Sequence, residues 1–258
     1  MHKFVDMHCH ILPSVDDGPV TTEQSLEMAK ALADAGFNQV IATPHVADDQ
    51  SAEYHALIRK KHKLLTEALC EADIPLSISL GAEILFSPEV LQLAKAESLP
   101  TLSGTPYALI ELPYYQAITS YTFEALFSLR VMGYRPILAH PERVEAIKSS
   151  FEILPRLVKA GVLLQVNLGS LVGYFGQRAQ RIAEKMVSTG LAHLLATDCH
   201  DASMLPRILP LLRENTIPID ILLKENPANL LAGKPIEIAI PEETLSYKEK
   251  IRRFFSAS

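Results

Sequence analysis

Short apolar runs alternate along the chain with longer stretches of helical periodicity. The runs at 4–8, 39–43, 76–82, 108–112, 136–140, 163–168 and 193–197 read as buried strands. Between them, 22–35, 52–72, 88–96, 121–132, 151–160 and 175–189 read as helices. Local punctuation agrees. Thr21 or Thr22 can cap the first helix and Gly36 can end it. Pro88, after Ser87, suits a helix start. Gly133, Gly161 and Gly190 each follow a helical stretch and precede a strand. Such alternation implies parallel strands with right-handed crossovers. Seven strands can close a slightly irregular barrel or form an open doubly wound sheet.

No linker or composition break divides the 258 residues, so one domain over 1–258 is expected. A short basic and aromatic tail at about 245–258 carries Lys248, Lys250, Arg252, Arg253, Phe254 and Phe255. It reads as a solvated end with two packed aromatics or as an amphipathic helix that docks on the body or a partner.

Composition narrows the function. At 48% hydrophobic and 21% charged, the chain suits a globular protein with a sizeable core. A net charge of −6 argues against a nucleic-acid-coating surface, and a phosphorylated substrate would need local positive charge. Three scattered cysteines, Cys9, Cys70 and Cys199, make no disulfide framework and fit a reducing compartment. With neither a signal segment nor a membrane-length apolar run, the expected location is the cytoplasm.

The chemistry collects where the strands end. The first run ends in His8-Cys9-His10, the second in Thr43-Pro44-His45, the third in Gly81-Ala82-Glu83 and the fourth at Glu111. The fifth ends in His140-Pro141-Glu142-Arg143 and the seventh in Asp198-Cys199-His200. In parallel α/β folds the carboxyl ends of strands share one face, so these histidines and carboxylates read together as a metal centre. Each alone has an ordinary structural explanation; six coincidences on one face do not. Strand alternation places Asp6, His8 and His10 on one side and Met7 and Cys9 on the other. Asp6 is then a candidate to orient a ligand imidazole, and Cys9 and Cys199 should be packed thiols facing the helices.

Other chemistries fail on spacing. A cysteine phosphatase needs arginine six residues after its nucleophile; Val15, Leu76 and Leu205 stand there instead. The G-x-S-x-G elbow, the Walker A loop and the dinucleotide fingerprint are all missing. Gly169, Gly173 and Gly176 suit a flexible loop after the sixth strand.

In order, H-x-H, T-P-H, G-A-E, a lone Glu, H-P-E-R and D-x-H resemble the polymerase-and-histidinol-phosphatase (PHP) superfamily along nearly the whole chain. The wording D-M-H-C-H-I-L-P-S-V-D-D-G, A-H-P-E-R and N-L-G-S-L-V-G-Y-F-G is similar to the bacterial tyrosine-protein phosphatases of capsule and exopolysaccharide loci. The resemblance implies a distorted seven-stranded (β/α)7 TIM-like barrel with three divalent metal ions, manganese foremost, with iron or zinc as alternatives. It implies that His8, His10, Glu83 and Asp198 hold one ion, and that Glu83, Glu111 and His140 hold a second. Asp17, His45 and His200 would hold the third, with Asp17 preferred to Asp16 by the D-D-G wording. Arg143 and His140 are its candidate catalytic residues; Arg143 would bind phosphate, with Arg207 as a second contact. Two departures stand out: Ser14 where glycine is usual, and Cys199 where a small residue is usual.

The implied reaction is in-line attack on phosphorus by a metal-activated hydroxide, with the metals and Arg143 stabilising the equatorial oxygens. Four carboxylates against three divalent ions leave the site at about +2, which suits a phosphate dianion. A tyrosine leaving group, with a pKa of about 10, needs little acid assistance. Tyr114, Tyr115, Tyr121 and Tyr174 can rim such a site. The implied partner is a phosphotyrosine protein, the tail of a bacterial tyrosine autokinase, with no nucleic acid and no membrane insertion. The alternatives are a small-molecule phosphatase such as one for histidinol phosphate, or a metal-bound regulatory module without catalysis.

Overall fold

Apolar β-branched and leucine-rich runs, buried on both faces, form parallel strands wrapped by helices. A computed structural model describes residues 3–46, 51–214 and 217–236. Its strands are β1 (Phe4–Cys9), β2 (Phe37–Ala42), β3 (His45–Val46), β4 (Ser77–Leu80), β5 (Glu83–Leu85), β6 (Tyr107–Glu111), β7 (Arg135–Leu138), β8 (Leu163–Asn167) and β9 (Leu194–Ala196). One sheet has the order β1-β2-β4 and the other β3-β5-β6-β7-β8-β9, all parallel. The result is an α/β fold around a curled parallel sheet.

Seven unbroken strands were expected, and the second and third are each interrupted. Pro44 has no N–H to give to a ladder, so β2 stops at Ala42 and β3 begins at His45. Single hydrogen bonds carry the pairing across the gap: Gly81 N to Ala42 O at 2.8 Å and Glu83 N to Pro44 O at 3.1 Å. At the other margin β1 meets β9. Cys9 bridges to Cys199, His10 N donates to Cys199 O at 2.9 Å, and Asp198 N donates to His8 O at 2.8 Å.

A bulge in β1 corrects the simple alternation. Asp6 pairs with Val40 and Cys9 with Ala42, so three steps on β1 oppose two on β2. Met7 therefore packs in the inner cluster with Val5, Leu109 and Ile137, while Cys9 lies in the outer cluster under the helices. Cys199 is in that outer cluster too. The inner cluster fills the lower part of the sheet's concave side, which leaves the carboxyl ends of the strands to polar side chains.

Among the helices, Thr21 forms the capping box with Gln24 that starts Thr22–Asp34. The predicted helix 175–189 begins only at Gln177, which leaves Tyr174 and Phe175 in the preceding turn. Among the described residues, the α-helices Glu145–Ser149, Leu168–Leu171, Leu205–Glu214 and Asn226–Leu231 were not anticipated. Ser14, at the place where glycine is usual, has φ 55°, a conformation that glycine adopts without strain. The tail at 245–258 lies outside the described residues. Among the described residues, no helix is long and apolar enough to cross a membrane.

His193, just before β9, gives the fold a pH dependence away from the clustered histidines. Its Nδ1 accepts a hydrogen bond from Leu164 N at 3.1 Å, so its proton sits on Nε2. Burial pushes its pKa down to about 4. The unfolded chain takes a proton near pH 6.5 that the folded chain refuses. This group's contribution is therefore complete above pH 6.5 and lost as pH falls toward 4. Between pH 7.5 and 5.5, wild type should lose about 1 kcal/mol more stability than His193→Gln. Denaturant melts of both proteins at the two pH values measure this; equal losses would remove His193 as the source.

Candidate metal centre

Strands β1, β3, β5, β6, β7 and β9 each carry, or lead directly into, a ligand-type side chain at one end of the sheet. His8 lies on β1 with His10 just beyond it, His45 opens β3, Glu83 opens β5 and Glu111 ends β6. His140 follows β7, and Asp198 and His200 follow β9. His140 has φ 27° and Asp198 φ 52°, a strained left-handed backbone for non-glycine residues and a common signature of functional sites. At His140 the kink turns inward a side chain that alternation after Ala139 would send outward.

Three groups of donor atoms converge: His8, His10, Glu83 and Asp198; His10, Asp17, His45 and His200; and His45, Glu83 and Glu111. Each pair of groups shares one side chain, so the three adjoin. In the first, His8 Nε2 stands 3.2 Å from Glu83 Oε2 and 3.3 Å from Asp198 Oδ1. In the second, Asp17 Oδ1 lies 3.5 Å from His45 Nε2 and 3.2 Å from His200 Nε2. Near the third, His140 Nε2 lies 2.8 Å from Glu83 Oε1 and 3.7 Å from Glu111 Oε1. The first group matches its expected membership. The second adds His10, and in the third His45 stands where His140 was expected, with His140 alongside.

The charge pattern of these atoms asks for a cation. Among the described residues, the buried Glu83 Oε2 and Asp198 Oδ1 accept no hydrogen bond, although ring nitrogens stand 3.1–3.4 Å away. Those nitrogens face inward because the outer ones are taken. His10 Nδ1 donates to Asp16 Oδ2 at 2.8 Å, and His200 Nδ1 donates to the Asp198 carbonyl at 3.0 Å. Both partners only accept, so the neutral form of each ring keeps its lone pair on Nε2. Burial opposes charge on His8, yet the Glu83 and Asp198 carboxylates outweigh it and raise the imidazole to about 9. His10 rises as well, against burial, through Asp16, Asp198 and Glu83. Despite burial, Glu83 and Asp198 are held low by these same histidines. Electron-rich atoms at this spacing fit divalent ions, and the two buried thiols, pushed up by burial, stay out of the donor set.

Asp16 and Asp6 support the donors from outside the three groups. Asp16 accepts from His10, from His45 N at 3.1 Å and from Gly18 N at 3.1 Å, and so braces the ligands while Asp17 faces them. Gly18 is needed there, since a Cβ would stand 2.2 Å from His10 O. Asp6 does not orient an imidazole. Its carboxylate accepts from His8 N and from the backbone and hydroxyl of Thr197, which ties β1 to β9. The guanidinium carbon of Arg207 lies 5.2 Å from the centre of the Tyr174 ring.

Beside the donors opens a cleft of about 280 Å³, lined by Arg143, Tyr174, Phe175, Asp198, His200 and Met204 among others. Arg143 donates to Asp198 Oδ2 at 2.9 Å. Its guanidinium carbon lies 4.7 Å from the Tyr114 ring centre and 4.2 Å from that of Phe175. Gly169 lets this arrangement close, since a Cβ there would come within 3.0 Å of the Phe175 ring. Of the expected tyrosine rim, Tyr114 and Tyr174 are at hand, while Tyr115 is 91% exposed and Tyr121 packs on Phe86. Phe175 was not anticipated, although it sits in the same glycine-spaced stretch as Tyr174. Size does not mark the site: a cavity of about 930 Å³ between Phe4, Leu26, Phe37, Ile74 and Leu212 holds none of the clustered histidines.

Residues 4–215 match the family described as capsular polysaccharide synthesis, CpsB/CapC. The tyrosine-protein phosphatase YwqE of Bacillus subtilis is 36% identical over 197 residues, 76% of this chain and 77% of its own. The tyrosine-protein phosphatase CpsB of Streptococcus pneumoniae is 27% identical over 209 residues, 78% of this chain and 85% of its own. A solved structure from work on YwqE and CpsB, described as unique metal-dependent tyrosine phosphatases, superposes with a TM-score of 0.82 at 33% identity, covering 92% of this chain and 98% of that one. The matched span contains every donor of the three groups as well as Arg143, and the chain belongs to the CpsB/CapC family.

Proposed function

We propose that this chain is a metal-dependent protein-tyrosine phosphatase acting on a phosphotyrosine protein of capsule or exopolysaccharide synthesis. The tail of a bacterial tyrosine autokinase is its proposed substrate, and the cytoplasm, which suits three free cysteines, its proposed location. The observation that carries the reading is the convergence of histidines on unpartnered carboxylate oxygens beside an arginine-lined cleft.

The proposed cofactor is a set of three divalent ions, one per donor group; the all-oxygen-and-nitrogen donor set suits manganese, with iron or zinc next. When bound, such ions supply Lewis acidity and make a water-derived nucleophile available near neutral pH. Arg143 is placed to offer N–H groups to the equatorial phosphate oxygens. Tyr114 and Phe175 clamp its guanidinium, so little ordering remains for the substrate to drive. Tyr174 and Phe175 border the space left for an aryl ring. We also read the two sheets as one distorted barrel of seven strand positions. In it, β2 with β3 and β4 with β5 count as single interrupted strands, and the β1–β9 contact closes the ring.

Protein reconstituted with Mn²⁺ should turn over a phosphotyrosine peptide with a kcat/KM at least about tenfold above that for histidinol phosphate. A preference for histidinol phosphate would overturn the protein-phosphatase reading.

A further inference from the structure

β8 sends no ligand-type side chain to the centre, yet its inner face is polar. Gln165 and Asn167 point the same way as Leu163, and both are fully buried. They form a continuous chain: His8 Nδ1 to Gln165 Oε1 at 3.0 Å, Gln165 Nε2 to Asn167 Oδ1 at 2.8 Å, and Asn167 Nδ2 to Asp198 Oδ2 at 2.7 Å.

We propose that Gln165 and Asn167 are positioning residues, a directional amide relay that sets the His8 tautomer from the Asp198 carboxylate. The inference rests on the metal reading above. Its direction follows from one end. Asp198 Oδ2 receives both Asn167 Nδ2 and Arg143 NH1. An oxygen that accepts twice carries no proton, so Asn167 must turn its NH2 toward it. The Asn167 oxygen then faces Gln165, which must donate its own NH2. That leaves the Gln165 oxygen facing His8, and a carbonyl oxygen can only accept. In its neutral form His8 thereby keeps its proton on Nδ1, and its Nε2 lone pair points at the gap it shares with Glu83 Oε2 and Asp198 Oδ1. The same relay holds Asp198 by Oδ2 and leaves Oδ1 turned inward. Two ligands on strands at opposite ends of the chain are aimed together by two neutral side chains, which add no charge to a centre already rich in carboxylates.

The test is a double-mutant cycle on metal affinity in the full chain, using Gln165→Leu, Asn167→Leu and the double variant with Mn²⁺ in chelator competition. Each single variant should weaken the affected ion by roughly 10–100-fold. The double variant should be no weaker than the worse single one, because either cut breaks the relay. The KM for a phosphotyrosine peptide should stay within about twofold of wild type while kcat falls at limiting metal. Losses that multiply in the double variant would overturn the relay and leave two independent packing effects. Wild-type affinity in both single variants would overturn the relay alone; a wild type that takes up no Mn²⁺ would overturn both the relay and the metal reading. Should the leucine variants fail to fold, ¹H–¹⁵N spectra of Zn²⁺-loaded wild type decide. The His8 proton is expected on Nδ1, and metal on that nitrogen would overturn the proposal.

Discussion

Glu83→Gln is expected to strip the centre of metal and reduce turnover by well over the roughly 100-fold that loss of an outer ligand partner can cost. Glu83 belongs to two of the three donor groups. One of its oxygens faces His8, His10 and His45, and the other accepts from His140 at 2.8 Å. Glutamine keeps the shape but removes the negative charge. It also puts either an N–H₂ or a neutral carbonyl where lone pairs already crowd. Glu83 is 1% exposed, so no water can substitute for the lost charge. The effect should be one of metal occupancy before it is one of rate. Elemental analysis of protein purified without chelator should show fewer ions per chain in the variant, with secondary structure unchanged by circular dichroism. A variant with a full metal complement and normal turnover would remove Glu83 from the shared position.

The donors were legible in the sequence because the physics that makes them is local. Each follows an apolar run, and parallel strands of any α/β fold gather their carboxyl ends on one face. Cys9 and Cys199 were legible as packed thiols for the same reason. What escaped reading was long-range or broke the period. The bulge after Asp6 puts Met7 and Cys9 on opposite faces, and no residue there announces an extra step. The kinks at His140 and Asp198 have no sequence signature, since Asp and His tolerate positive φ better than most residues with a Cβ but adopt it only where the surroundings require it. Asp16 and Asp17 are chemically equal neighbours, told apart in the sequence only by the family resemblance, and it is Asp17 that faces His200. Gln165 and Asn167 did leave a trace. Their spacing repeats that of His8 and His10 inside an apolar run, but neutral amides carry no metal signature until their partners 157 and 31 residues away are in place.

Arg143→Ala is expected to lower kcat/KM for a phosphotyrosine peptide by about 10²–10³-fold, the cost of losing a preorganised donor to developing charge. The guanidinium is held on three sides, by Asp198 Oδ2 and by the Tyr114 and Phe175 rings, and it remains 22% exposed toward the cleft. A flat cation clamped between rings keeps its remaining N–H groups in one plane, which suits two phosphate oxygens at once. Arg143→Lys should recover less than about tenfold, because an ammonium neither stacks as a plane nor forks. The same substitution separates two roles for the side chain. Arg143 also donates to Asp198, so its loss could act through the metal. Elemental analysis distinguishes them: a phosphate contact predicts unchanged metal content with a lower kcat/KM, whereas support of Asp198 predicts that metal and rate fall together. Inorganic phosphate should inhibit Arg143→Ala more weakly than wild type, by a factor close to the loss in substrate KM. Unchanged kcat/KM and unchanged phosphate inhibition in the alanine variant would take Arg143 out of substrate binding.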